Sequence, residues 1–180
     1  MSDIPDRRAS HWSGQALDRA FGRGAPEQLF YMMLQATRRR ETAIGEALRE
    51  LGLTVSRWRA LAVIRRCGAC TMSDLAHLSS VDRTTLTRTI DQLVNEGLVE
   101  RAPSVSDRRL ILLKLSAEGA RLAELGSKAN HDFCSDMLRG VPDDQRVGAL
   151  RLLQQVVDNM IGDEDVAYGV LTFQPSRHTP

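Results

Sequence analysis

No apolar run in this 180-residue chain approaches the roughly 18 residues needed to span a bilayer, and the polar stretch from Met1 to Arg8 lacks the apolar core of a signal peptide. Both absences point to a cytoplasmic protein without a membrane partner. Cysteine is scarce. Cys67, Cys70 and Cys134 make an odd three, which argues against a disulfide framework. Neither sign of charge is in excess, and a net charge of +1 gives by itself no support for a nucleic-acid partner. Catalytic groupings are missing too. His11, His77, His131 and His178 are scattered, no Gly-rich loop cradles a phosphate, and no Ser, His and carboxylate set emerges. The chain is not expected to be an enzyme or to carry a cofactor.

What is present is a hydrophobic content of 42%, enough for a compact domain to bury a real core. Basic charge is concentrated early: Thr37 to Arg66 holds eight arginines against three glutamates, while Ser116 to Met160 holds five basic and seven acidic residues. One end can thus face a polyanion, although a solvated helix face accounts for the arginines about as well.

Periodicity predicts a mainly helical chain. Leu29, Met33, Ala36, Ile44, Ala47, Leu48 and Leu51 keep a helical rhythm that Gly52 ends. Thr54 can cap a second helix running to Arg66, with Trp58, Leu61 and Ala62 inward. Thr71 with Asp74 opens a short helix over Ser73 to Leu78 in the manner of a capping box. Ser79 and Ser80 make a turn into "VDRTTLTRTI", where Asp82 stands as an N-cap and Gly97 as the stop. Then "LVERAPSVSDRRLILLKLS" reads as a β-hairpin with a long loop. Ser116 caps a long helix to about Gly140, and a last one runs from "VPDDQ" to Ile161. Trp12, Leu17 and Phe21 suit one short helix in an N-terminal arm, whereas the residues after 162 have mixed signals and read as a tail.

The helix from Arg83 to Glu96 carries four threonines in its first turns, although threonine loses roughly half a kcal/mol against alanine at each helical position. A helical wheel sets Leu86, Ile90, Leu93 and Val94 on one face, and the opposite line runs through Thr84, Arg88 and Asn95. Thr85 flanks that line. Thr87 is expected to turn toward the apolar face and Thr89 to sit at its other border. Short hydroxyls and a long guanidinium suit a DNA groove: threonine reaches a phosphate, a base edge or a thymine methyl, and arginine grips guanine with two hydrogen bonds. A plain solvent-facing helix fits the same residues equally well. The hairpin tips the balance, because Asp107, Arg108 and Arg109 lie at its tip, where an arginine can enter a minor groove.

From Thr54 to Glu118 the chain resembles the MarR family of bacterial transcription regulators. The resemblance rests on "LTVSRWRAL", "TMSDLAHLSSVDRTTLTRTIDQLVNEGLVER", the D-x-R at Asp107 and Arg109, and "LSAEG" at Leu115 to Gly119, where Ser116 stands in place of the family's usual threonine. It implies a winged helix-turn-helix with long N- and C-terminal dimerisation helices and a two-stranded wing. The corresponding division is an arm at 1–25, a dimerisation region at 26–53 and 116–162, a DNA-binding domain at 54–115 and a tail at 163–180. It also implies a homodimeric repressor or activator on a double-stranded, pseudo-palindromic operator. Thr84, Thr85 and Arg88 would read the major groove and Arg83 would contact phosphate. Arg109 would enter the minor groove, with Arg108 beside it and Asp107 orienting it. A small aromatic or phenolic effector is implied as well, for which Tyr31, Met32, Arg38, Trp58 and Arg59 offer aromatic walls and cations.

Two alternatives remain at this level. "CGAC" and "HDFC" together hold enough ligands for a zinc ion, but nothing brings them together, so inert cysteines and no metal are expected. Arg65 and Arg66 beside Cys67 would suit a redox-sensing regulator. A winged-helix module used only for protein association is the other rival, and the polar, basic outward residues argue against it.

Overall fold

The computed structural model describes residues 19, 22, 24–104 and 108–172. Helix α1 spans Pro26–Arg49. The chain divides within it into two compact units, Met1–Ala43 and Ile44–Pro180. In the first unit, Phe30, Tyr31, Met32 and Leu34 are exposed on α1.

The second unit is built around α2, Val55–Cys67, which packs against α3 (Met72–Ser79), α4 (Arg83–Asn95), strand β2 (Ile111–Leu115) and α5 (Ala117–Met137). Its start is fixed by Thr54, whose hydroxyl accepts the Arg57 amide at 3.3 Å. Such a cap contributes roughly 1 kcal/mol. Ile44 and Leu48 from the end of α1 join Leu61, Ile64, Leu75, Leu86, Ile90, Leu93 and Leu113 in one fully enclosed core. The capping box read from "TMSD" is formed. Thr71 Oγ1 accepts the Asp74 amide at 3.2 Å, and Asp74 Oδ2 accepts the Thr71 amide at 3.1 Å and hydroxyl at 2.7 Å. These bonds satisfy a carboxylate that is itself buried.

Strand β1, Val99–Pro103, pairs antiparallel with β2 in a register that sets Val99 opposite Leu115 and Pro103 opposite Ile111. Cys70 adds an isolated one-residue bridge to β2, its N–H donating to Leu113 O at 3.2 Å and its carbonyl accepting from Leu113 N at 2.8 Å. The pairing joins segments far apart in the chain, so "CGAC" itself carries no sign of it. Ser116 starts α5 by accepting the Gly119 amide at 3.1 Å. A Cβ on Gly119 would lie 2.0 Å from Leu98 O, so the helix meets the β1 approach only because this residue is glycine.

Helix α6, Asp143–Met160, buries no residue. One difference from expectation follows it. Glu164–Thr172, within the stretch read as a tail, forms α7 and packs on α3. Asp163 caps it, accepting the amides of Asp165 at 3.0 Å and Val166 at 3.1 Å, and Ala167 and Gly169 are buried. The proposed arm helix with Trp12, Leu17 and Phe21 lies outside the described residues.

Candidate nucleic-acid interface

Helices α3 and α4 are joined by a turn in which Ser80 adopts a left-handed conformation, φ 52° and ψ 34°. It is the only non-glycine residue with positive φ among the described residues. The chain then straightens, and Asp82 Oδ1 accepts the Thr85 amide at 2.9 Å to start α4. The hydroxyl and amide of Thr85 hold the Asp82 carboxyl below the usual carboxylate range.

Leu86, Ile90 and Leu93 anchor α4 in the core. Arg83, Thr84, Thr85 and Arg88 are all exposed. Arg83, Thr84, Thr87 and Arg88 border one open depression of about 340 Å³. The expectation for two threonines needs correction. Thr87 is exposed and its hydroxyl donates to Arg83 O at 2.9 Å, whereas Thr89 is buried at 5% exposure. On the wheel both lie at similar angles from the apolar line. The packing of α2 and β1 against α4, invisible to the helix's own period, decides which one is covered.

Two ion pairs set α4 against its neighbours. Asp91 Oδ1 accepts from Arg101 Nη2 of β1 at 2.6 Å, and Glu96 pairs with Arg57 of α2. Both pairs are partly exposed and are worth little as stability, on the order of 0.2–1 kcal/mol each. They link α4 to α2 and to the hairpin. Sequence reasoning missed them because the partners come from different elements. Arg108 and Arg109 are exposed in the turn before β2. Asp107 lies outside the described residues.

A second concavity of about 680 Å³ opens between α2, the end of α3 and α5, lined by Trp58, Arg59, Ala62, Val63, Arg65, Arg66, Leu78, Ser79, Ser80, Ser127 and Asn130. Trp58 Nε1 and Ser79 Oγ are buried there without a hydrogen-bond partner. Trp58 lies so close to α5 that a Cβ on Gly126 would meet its Cδ1 at 2.4 Å. Of the five residues considered for an effector, Trp58 and Arg59 share this wall. Tyr31, Met32 and Arg38 belong to the other unit, where all three are exposed on α1. Among the described residues no group of three or more His, Cys, Asp or Glu can hold a metal ion, and no helix is long and apolar enough to cross a membrane.

A short helix, a tight turn, a second helix with a polar outer row and a two-stranded hairpin define a winged helix-turn-helix. The model of the MarR family matches residues 53–111. The multiple antibiotic resistance protein MarR of Escherichia coli is 32% identical over 132 residues, covering 72% of this chain and 89% of that protein. The crystal structure of a mutant E. coli MarR complexed with operator DNA superposes with a TM-score of 0.63 at 29% identity, over 71% of this chain and 92% of that one. A MarR family transcriptional regulator from Silicibacter pomeroyi gives 0.69 at 28% identity, over 79% and 99%. The chain belongs to the MarR family. It is a DNA-binding transcription regulator, not an enzyme.

Proposed function

We propose that the protein is a homodimeric repressor of a pseudo-palindromic operator, released by a small aromatic or phenolic anion. The observation that carries the reading is the outward row of α4. Arg83, Thr84, Thr85 and Arg88 stand together on a helix held rigidly by its buried face. In this reading Thr84, Thr85 and Arg88 contact base edges in the major groove, and Arg83 contacts phosphate. Arg109, with Arg108 beside it, enters the adjacent minor groove, and Asp107 orients it.

Exposed apolar side chains on α6 support the homodimer. Val147, Leu150, Leu153 and Met160 recur on a helix with no buried residue, an arrangement that a second copy would cover. The larger concavity supports the effector. Its guanidinium-rich wall suits an anion, Trp58 supplies an aromatic surface, and the buried, unsatisfied Ser79 hydroxyl lies in the same wall. Of the residues proposed for the effector, Trp58 and Arg59 line this concavity, and Tyr31, Met32 and Arg38 lie on α1 in the other unit.

Arg88→Ala tests the reading directly when wild type and variant are titrated against the DNA upstream of the protein's own gene and against random DNA. The expected result is a loss of discrimination worth about 1–3 kcal/mol, with binding to random DNA little changed. Equal affinity of the two proteins for both DNAs would refute it.

A further inference from the structure

Helix α6 stands apart from the core. None of its residues is buried, and only Val156 and Val157, in its last turns, are even half-covered. Among the described elements it packs chiefly with α7, and α7 packs in turn on α3. Only Ile161, Gly162 and Asp163 separate α6 from α7.

Helix α7 is closed at both ends. Asp163 Oδ1 accepts the amides of Asp165 and Val166 in its first turn, and Thr172 Oγ1 donates to Tyr168 O at 2.6 Å in its last. Every residue from Asp165 to Thr172 is at least partly covered, and Ala167 and Gly169 are buried. A helix of nine residues is too short to persist alone in water, so α7 owes its form to its docking. The surface that receives it is tied to the recognition helix. Ser80 to Asp82 alone join α3 to α4, and Leu75 and Leu78 of α3 share one core with Leu86 and Ile90 of α4. Whatever holds α3 therefore holds α4.

We propose that α7 is a strap that ties α6 to the helix-turn-helix and so fixes the separation of the two recognition helices in a dimer. This role rests on the homodimer and operator readings argued above. If two chains join through the apolar face of α6, a docked α7 makes α6 and α3 move as one body, and each α4 meets its half-site at a set distance. With α7 undocked, the lobe is carried from α6 only through the 138–142 connection to α5. A loose tether spreads the two lobes over many separations, which lowers the effective concentration at any one spacing.

The test uses the full chain as wild type, Ala167→Glu, Asp163→Ala and Asp163→Asn. Ala167 is buried but lies outside the enclosed core cluster, so its carboxylate variant expels α7 without opening the core. Asp163 is exposed, so its variants keep the test valid if Ala167→Glu does not fold. Amide exchange by mass spectrometry should show α7 protected in wild type and Asp163→Asn, unprotected in Ala167→Glu and less protected in Asp163→Ala, with α2 and α4 protected in all four. Duplexes selected by wild type from a random pool are then respaced by adding or removing single base pairs between the half-sites. Wild type and Asp163→Asn should lose about tenfold in affinity on respacing, a coupling of ordinary size. Ala167→Glu should lose about threefold or less, because its lobes adapt, and Asp163→Ala should fall between. All four should bind an isolated half-site alike.

A wild-type α7 that exchanges as fast as that of Ala167→Glu would overturn the proposal. So would an unaltered spacing preference in a variant whose α7 is unprotected, or a loss of half-site binding, which would make α7 a support of the lobe alone. Asp163→Asn behaving as Asp163→Ala would assign the effect to charge and overturn it too. A pool that yields no symmetric pair of half-sites would count against the dimer and operator reading and remove the spacing role with it. Exchange would still report the docking of α7 in that case, so the two failures are told apart.

Discussion

Short hydroxyls beside a long guanidinium give the outer row of α4 two different reaches, and this division of labour makes single-residue predictions distinct. An arginine at the hairpin acts mainly through charge. Arg109→Ala should weaken binding to all sequences alike and reduce the slope of log affinity against log salt by about 1, as measured by titration across ionic strengths. A sequence-selective loss with unchanged slope would instead place Arg109 on a base edge. Trp58 invites a different test. Any side chain at position 126 must displace an indole already in contact with the backbone of α5. Gly126→Ala should therefore cost about 1–3 kcal/mol, read as a lower urea midpoint at constant m-value. An unchanged midpoint would mean that the ring moves aside freely.

At the scale of elements, α4 holds together despite its threonines because its first turn is capped and its inner face is enclosed. Asp82 stays ionised in the folded helix to a lower pH than in the unfolded chain, since Thr85 donates to its carboxylate. Its stabilisation is fully present above the unfolded pKa and is lost as pH falls through the lower folded one. Asp82→Asn keeps a capping oxygen but not the titration. Urea midpoints of the variant should decline less steeply than those of wild type below about pH 4. Parallel declines would show that the cap is not coupled to folding. Elements marked by local chemistry were legible in the chain: Thr54, Thr71, Asp82 and Ser116 all cap as their types suggest. The outward placement of Thr84, Thr85 and Arg88 was legible for the same reason, because Leu86, Ile90 and Leu93 fix the helix phase. Features that depend on two distant segments were not. The exchange of Thr87 and Thr89, the Cys70 bridge to Leu113, the Asp91–Arg101 pair and the packing of α7 on α3 all arise between elements that sequence periodicity treats separately.

For the whole molecule, the apolar face of α6 and the polar row of α4 ask for different partners, a second copy and a duplex. If α6 joins two chains, Leu150→Glu combined with Leu153→Glu should convert the protein to a monomer in sedimentation velocity and abolish tight operator binding, since half-sites would no longer be engaged together. A dimer that survives both changes would move the interface elsewhere. Hydroxyl-radical footprinting of the region upstream of the protein's own gene tests the central claim most directly. It should show two symmetry-related protected segments with centres about 10 bp, one helical turn, apart. A single unsymmetrical footprint, or uniform protection regardless of sequence, would contradict the account of a dimer that reads an operator through α4.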